Sequence, residues 1–135
     1  NLYQSQKALD NGKLALEDNG IIILVSKCKD GVGPTQFLDL LSKADSPKKV
    51  FDIIDAGYKL GYHKAAKIAQ LGMKAEIWAV TDLDDSTIEK AKIKPYKSMQ
   101  KAVDDAIDLI KSKGKKPKIF IMHSGSLTVP YYKEK

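Results

Sequence analysis

The run Ile21-Ile22-Ile23-Leu24-Val25 constrains this chain more than any other feature, with five consecutive apolar residues of which four are β-branched. It is far shorter than the roughly 20 residues that cross a bilayer. It also lacks the polar alternation of a strand with one wet face. Such a run suits a strand of a parallel sheet covered on both sides. Two further segments read as strands: Ala75 to Val80, centred on Ile77 and Trp78, and Pro117 to Met122.

Helix-forming stretches separate these runs. Gln4 to Glu17 contains good helix formers, with Ala8, Ala15 and Leu16 available for a core-facing side, and Asn19-Gly20 ends it. The loop Cys28 to Pro34 leads into a helix over Thr35 to Ser42. Asp45 or Ser46 can cap the next, with Pro47 in its first turn, and Gly57 and Gly61 interrupt it. Tyr62 to Leu71 turns Ala65, Ala66, Ile68 and Ala69 inward. Ser86 to Lys92 forms a short helix, Pro95 marks a break, and Ser98 opens an amphipathic helix that Gly114 stops. Strands alternating with helices predict a single α/β domain over 1–135, a three-layer Rossmann-like arrangement with a mainly parallel sheet and helices on both faces.

The net charge of +6 raises the question of nucleic acid, but all 23 basic residues are lysine. Arginine, the usual bidentate reader of guanine and phosphate, is missing, and no aromatic residues alternate with the lysines as a stacking platform. The lysines read as a solvated surface, with no nucleic-acid or membrane partner. One cysteine, Cys28, excludes an internal disulfide and suits a reducing cytoplasm. The chain opens at Asn1 without a methionine, which suggests a fragment.

In open α/β sheets the ligand crevice lies beyond the carboxyl ends of the strands, which directs attention to the loops after Val25, Val80 and Met122. Gly31-Val32-Gly33 lacks the third glycine of a dinucleotide fingerprint, Gln36 standing in its place. Asp82, Asp84 and Asp85 read as helix-capping acids rather than cation ligands. Cys28 reads as a buried inert thiol. His63 and His123 lack metal-ligand spacing, so no metal site is expected within the chain.

The first helix offers more. Residues three and four apart share a helical face, so Tyr3, Gln4 and Lys7 project together. A phenol, an amide and an ammonium can receive a small carboxylate: the ammonium supplies charge, and the amide and phenol fix orientation.

The octapeptide Asn1-Leu2-Tyr3-Gln4-Ser5-Gln6-Lys7-Ala8 resembles the start of the first C-terminal-domain helix in nickel-dependent lactate racemases. The resemblance continues through Asp18 to Leu24, Gly31-Val32-Gly33, His63-Lys64-Ala65 and Ser98 to Ala106. It implies a truncated C-terminal half of a two-domain racemase, closing over an N-terminal catalytic domain of the same polypeptide that holds a nickel-pincer nucleotide. Gln4 and Lys7 would bind the carboxylate or hydroxyl of a small 2-hydroxyacid, and Tyr3 would lie near the cofactor. The implied reaction interconverts D- and L-2-hydroxyacids by hydride transfer. The chain alone is expected to be inactive and to hold no cofactor tightly. The alternative is a stand-alone ligand-binding or interaction module with no catalysis.

Overall fold

A computed structural model describes residues 1–131 and 133. Its sheet has three parallel strands in the order β1 (Ile21–Val25), β2 (Glu76–Val80) and β3 (Lys94–Tyr96). Among the described residues six α-helices surround it: α1 (Leu2–Gly12), α2 (Thr35–Lys43), α3 (Pro47–Ala56), α4 (Tyr62–Gly72), α5 (Asp85–Lys90) and α6 (Met99–Ser112). The α/β class, parallel pairing and helical flanks agree with the sequence.

Strand geometry sorts the side chains into two faces, because successive residues point opposite ways. The register sets Ile22 beside Ile77 and Leu24 beside Ala79. These four meet the main core, in which Leu2 and Leu9 of α1, Phe37, Leu40 and Leu41 of α2, and Ala65 and Ile68 of α4 are buried. The opposite face carries Trp78, 1% exposed and stacked on Tyr96 at 5.1 Å. There α6 closes the layer, Tyr96 donating a 2.7 Å hydrogen bond to Asp105. Each fully buried large apolar side chain contributes roughly 1.5–3 kcal/mol relative to exposure.

Three expectations need correction. The expected third strand, Pro117 to Met122, does not pair; Ile119, Phe120 and Ile121 are 60%, 65% and 74% exposed. An apolar run becomes a strand only where a neighbour completes its ladder, and this one instead leads to a turn anchored on α1 by Asn11, which donates to the Gly125 carbonyl at 2.8 Å. The third strand lies at Lys94–Tyr96, across the expected break at Pro95. Proline is tolerated there because β3 is an edge strand and spares one ladder donor. Finally, α1 starts at Leu2 and buries Leu2, Gln6 and Leu9; of the expected core-facing residues Ala8 and Leu16 pack against the core while Ala15 is exposed, the last turn tightening to a 3-10 turn over Lys13–Ala15.

Among the described residues β1 pairs with β2 alone. The Ser26 N–H donates to Val80 and the Glu76 N–H to Gly20, so the even-numbered positions of this stretch face β2. In a parallel ladder the residues between them turn their N–H and C=O outward, which leaves Ile21, Ile23 and Val25 presenting an unpaired edge.

Candidate functional site

The amino end of α1 is built into the carboxyl end of the sheet. The loop after β1 doubles back so that the Gly31 and Val32 carbonyls accept from the Leu2 and Tyr3 N–H groups at 3.0 and 2.9 Å. The Asn1 side chain accepts from the Gln4 N–H at 2.8 Å. Together these satisfy donors that a helix start otherwise leaves unpaired. Glycine is required in that loop: Gly33 has φ of +103°, and a Cβ there would stand 2.6 Å from the Tyr3 Cβ.

Tyr3, Gln4 and Lys7 therefore open at the sheet end where α/β folds bind ligands. Gln4 and Lys7 are exposed and one helical turn apart, while Tyr3 is half-buried. The Tyr3 ring packs edge-on against Phe37 at 5.5 Å and His63 at 6.2 Å. A residue that sequence reasoning left without a role completes the arrangement: Lys64 of α4 donates to the Tyr3 carbonyl at 2.9 Å, with its ammonium 4.3 Å from the Tyr3 ring centroid. His63 pairs with the Tyr58 hydroxyl at 3.1 Å. The contact of Lys64 with Tyr3 spans 61 residues of sequence, so helical spacing could not reveal it.

The charge here is predominantly positive. Partial desolvation, reinforced by repulsion from Lys67 and Lys7, pulls Lys64 below the usual lysine range against the attraction of Asp10. Partial burial of Asp10 opposes its ionisation, but hydrogen bonds from Lys13 and Lys67 at 2.7 and 2.6 Å prevail and hold it below the ordinary carboxylate range. Asp10 thus offsets one of the two charges that Lys13 and Lys67 bring, so the surface around Lys7 and Lys64 stays net positive. Two like charges on a partly desolvated surface favour an anion between them.

The other candidates have structural roles. Cys28 is buried, its thiol 3.6 Å from the Ser26 hydroxyl and 4.0 Å from that of Ser5. Asp84 caps α5 by accepting from Thr87 N–H at 2.9 Å; the hydroxyls of Ser86 and Thr87 and that N–H hold its pKa at about 2. His123 is exposed. No three His, Cys, Asp or Glu side chains converge among the described residues. The nickel that the resemblance implies therefore finds no complete donor set in this part of the chain. No described helix is long and apolar enough to cross a membrane. A cavity of about 360 Å³ opens at the opposite, amino end of β2, between Ala44, Gly72, Ala75 and Glu76. Its lining is mainly apolar, and it is remote from the residues that α1 presents.

Known proteins resemble this chain in sequence and in fold. The family model of the lactate racemase C-terminal domain matches residues 1–129. A lactate racemase of Thermoanaerobacterium thermosaccharolyticum is 35% identical over 54 residues, covering 40% of this chain and 13% of that protein. The solved lactate racemase apoprotein from the same organism aligns with a TM-score of 0.75 at 24% identity, a likeness of fold covering 82% of this chain and 28% of that one. The chain thus spans a small part of each relative.

Proposed function

The chain belongs to the lactate racemase C-terminal domain family, and from this premise we propose that it is the substrate-clamping half of an enzyme that interconverts D- and L-2-hydroxyacids, lactate first among them. The observation that carries the reading is the exposed pair on α1, with the Lys7 ammonium one helical turn beyond Gln4, at the end of the helix that the loop after β1 caps.

Each residue has a distinct task in this reading. The Lys7 ammonium binds the substrate carboxylate through a charge-assisted hydrogen bond. The Gln4 amide, able to donate and accept, orients the carboxylate or the 2-hydroxyl. Tyr3 offers an aromatic edge and a hydroxyl toward the cofactor. An N-terminal catalytic domain of the same polypeptide supplies the proton-transfer groups and holds the nickel-pincer nucleotide; when bound, that cofactor supplies hydride acceptance and return. Closure of the two halves excludes water and strengthens the Lys7 contact. A cytoplasmic setting accords with the free Cys28 thiol.

The test is an assay of the longer, cofactor-loaded polypeptide with D- and L-lactate and a panel of other 2-hydroxyacids, beside this chain alone. Racemisation by the longer protein and none by the chain supports the reading. A longer polypeptide that folds, loads cofactor and racemises no member of the panel would leave a ligand-binding module as the better account.

A further inference from the structure

Tyr3 is held from four directions, and three of them are passive: the Gly33 backbone, the Phe37 edge and the His63 edge. The fourth is a charge. Lys64 bridges two elements by placing one ammonium against both the carbonyl and the ring of Tyr3, at 2.9 Å and 4.3 Å. A lysine on an exposed helix face would ordinarily extend into water, because burying its stem sacrifices side-chain entropy. Here it is half-buried and bent onto the first turn of a different helix. Lys67, one turn further along α4, reaches Asp10 instead, so α4 grips α1 at two levels and only the upper grip meets the receptor turn.

We infer that Lys64 is a positioning residue for substrate binding: it fixes the Tyr3 ring and the first turn of α1, and thereby the spacing of Tyr3, Gln4 and Lys7. This rests on the receptor reading above and extends it to a residue on α4. Its ammonium also stands near Lys7, so the held geometry keeps two cations around one anion site. The cation–ring contact and the charged hydrogen bond act together on the same tyrosine. Without them the ring keeps its apolar packing but loses the contact that sets its angle, and the carbonyl loses its second donor.

The experiment separates positioning from general stability. Tyrosine ring signals of the chain are followed by NMR in the parent and in Lys64→Met, Lys64→Arg and Lys67→Met, with the Trp78 indole signal on the opposite sheet face reporting folding. Lys64→Met should move the Tyr3 ring signals, Lys64→Arg should return them most of the way, and Lys67→Met, which removes a nearby charge without touching Tyr3, should leave them in place. Lys64→Gln serves the same comparison if the methionine variant loses the Trp78 signal. In the longer, cofactor-loaded enzyme Lys64→Met should raise KM for lactate by about three- to ten-fold with a smaller effect on kcat, and arginine should restore most of it. Tyr3 signals unmoved in the folded Lys64 variants, or moved equally by Lys67→Met, would overturn the inference. The signals need no ligand, so they decide whether Lys64 sets the Tyr3 ring even if lactate proves not to be the substrate, and the KM readout decides whether that setting serves binding.

Discussion

At the scale of single residues, two glycines separate backbone strain from close approach. Gly31 and Gly33 have φ of +79° and +103°, but a Cβ at Gly31 meets nothing within 4 Å whereas one at Gly33 collides with Tyr3. Gly31→Ala should therefore cost only the left-handed backbone penalty, about 1–2 kcal/mol. Gly33→Ala should cost clearly more in urea unfolding and should displace the Tyr3 ring; equal costs would mean that the loop yields without moving α1. Asp84 gives a pH-dependent counterpart. Its pKa is lowered from 3.8 to about 2 by hydrogen bonds from Ser86 and Thr87. A depressed acid stabilises the fold above its ordinary pKa and loses that contribution as pH falls through the folded value. The Asp84 carboxyl resonance should accordingly titrate near 2, and Asp84→Ala should lower the melting temperature at pH 6 but progressively less from pH 4 downward. A titration near 4 would show that the cap is not formed.

At the scale of elements, what was legible in the sequence was what local pattern determines. Ile21 to Val25 and the Ser98-capped helix both declare themselves by periodicity and punctuation, and the structure has β1 and α6 there. Helical spacing also placed Tyr3, Gln4 and Lys7 near one another on α1, with Gln4 and Lys7 exposed and Tyr3 half-buried. What was not legible depends on a partner distant in sequence. Lys94–Tyr96 is a strand because Trp78 to Val80 lies beside it, and nothing within Lys94-Pro95-Tyr96 advertises that. Pro117 to Met122 has the composition of a strand and no ladder. Lys64 was hidden likewise, since its role exists only where α4 meets α1. The direction assigned to β1 can be checked by hydrogen exchange: the amides of Ile21, Ile23 and Val25 should exchange faster than those of Ile22 and Leu24, and uniform protection along the strand would place a neighbour on its outer edge. The core beneath the site has its own test. Phe37 is fully buried and meets Tyr3 edge-on, so Phe37→Ala should destabilise the chain by about 3–5 kcal/mol.

At the scale of the whole molecule, the proposed function has the domain contribute charge and shape to a site completed elsewhere in a longer polypeptide. The loop after β1 holds the start of α1 through the Gly31 and Val32 carbonyls, and in that proposal the chemistry of bond making falls to groups beyond these residues. The most direct measurement is kcat/KM for racemisation by the longer, cofactor-loaded enzyme carrying Lys7→Ala, with Lys13→Ala as control. Losing one hydrogen bond to a charged carboxylate, worth roughly 1.5–3 kcal/mol, should lower kcat/KM by about ten-fold to a few hundred-fold. Lys7→Arg should recover part of the loss, because a planar guanidinium restores charge but not the position of a compact ammonium. Lys13 contacts Asp10 rather than the receptor face, and its alanine variant should stay near the parent. A folded, fully loaded Lys7→Ala enzyme with parental kcat/KM for every 2-hydroxyacid tested would contradict the account, leaving Lys7 as a surface lysine.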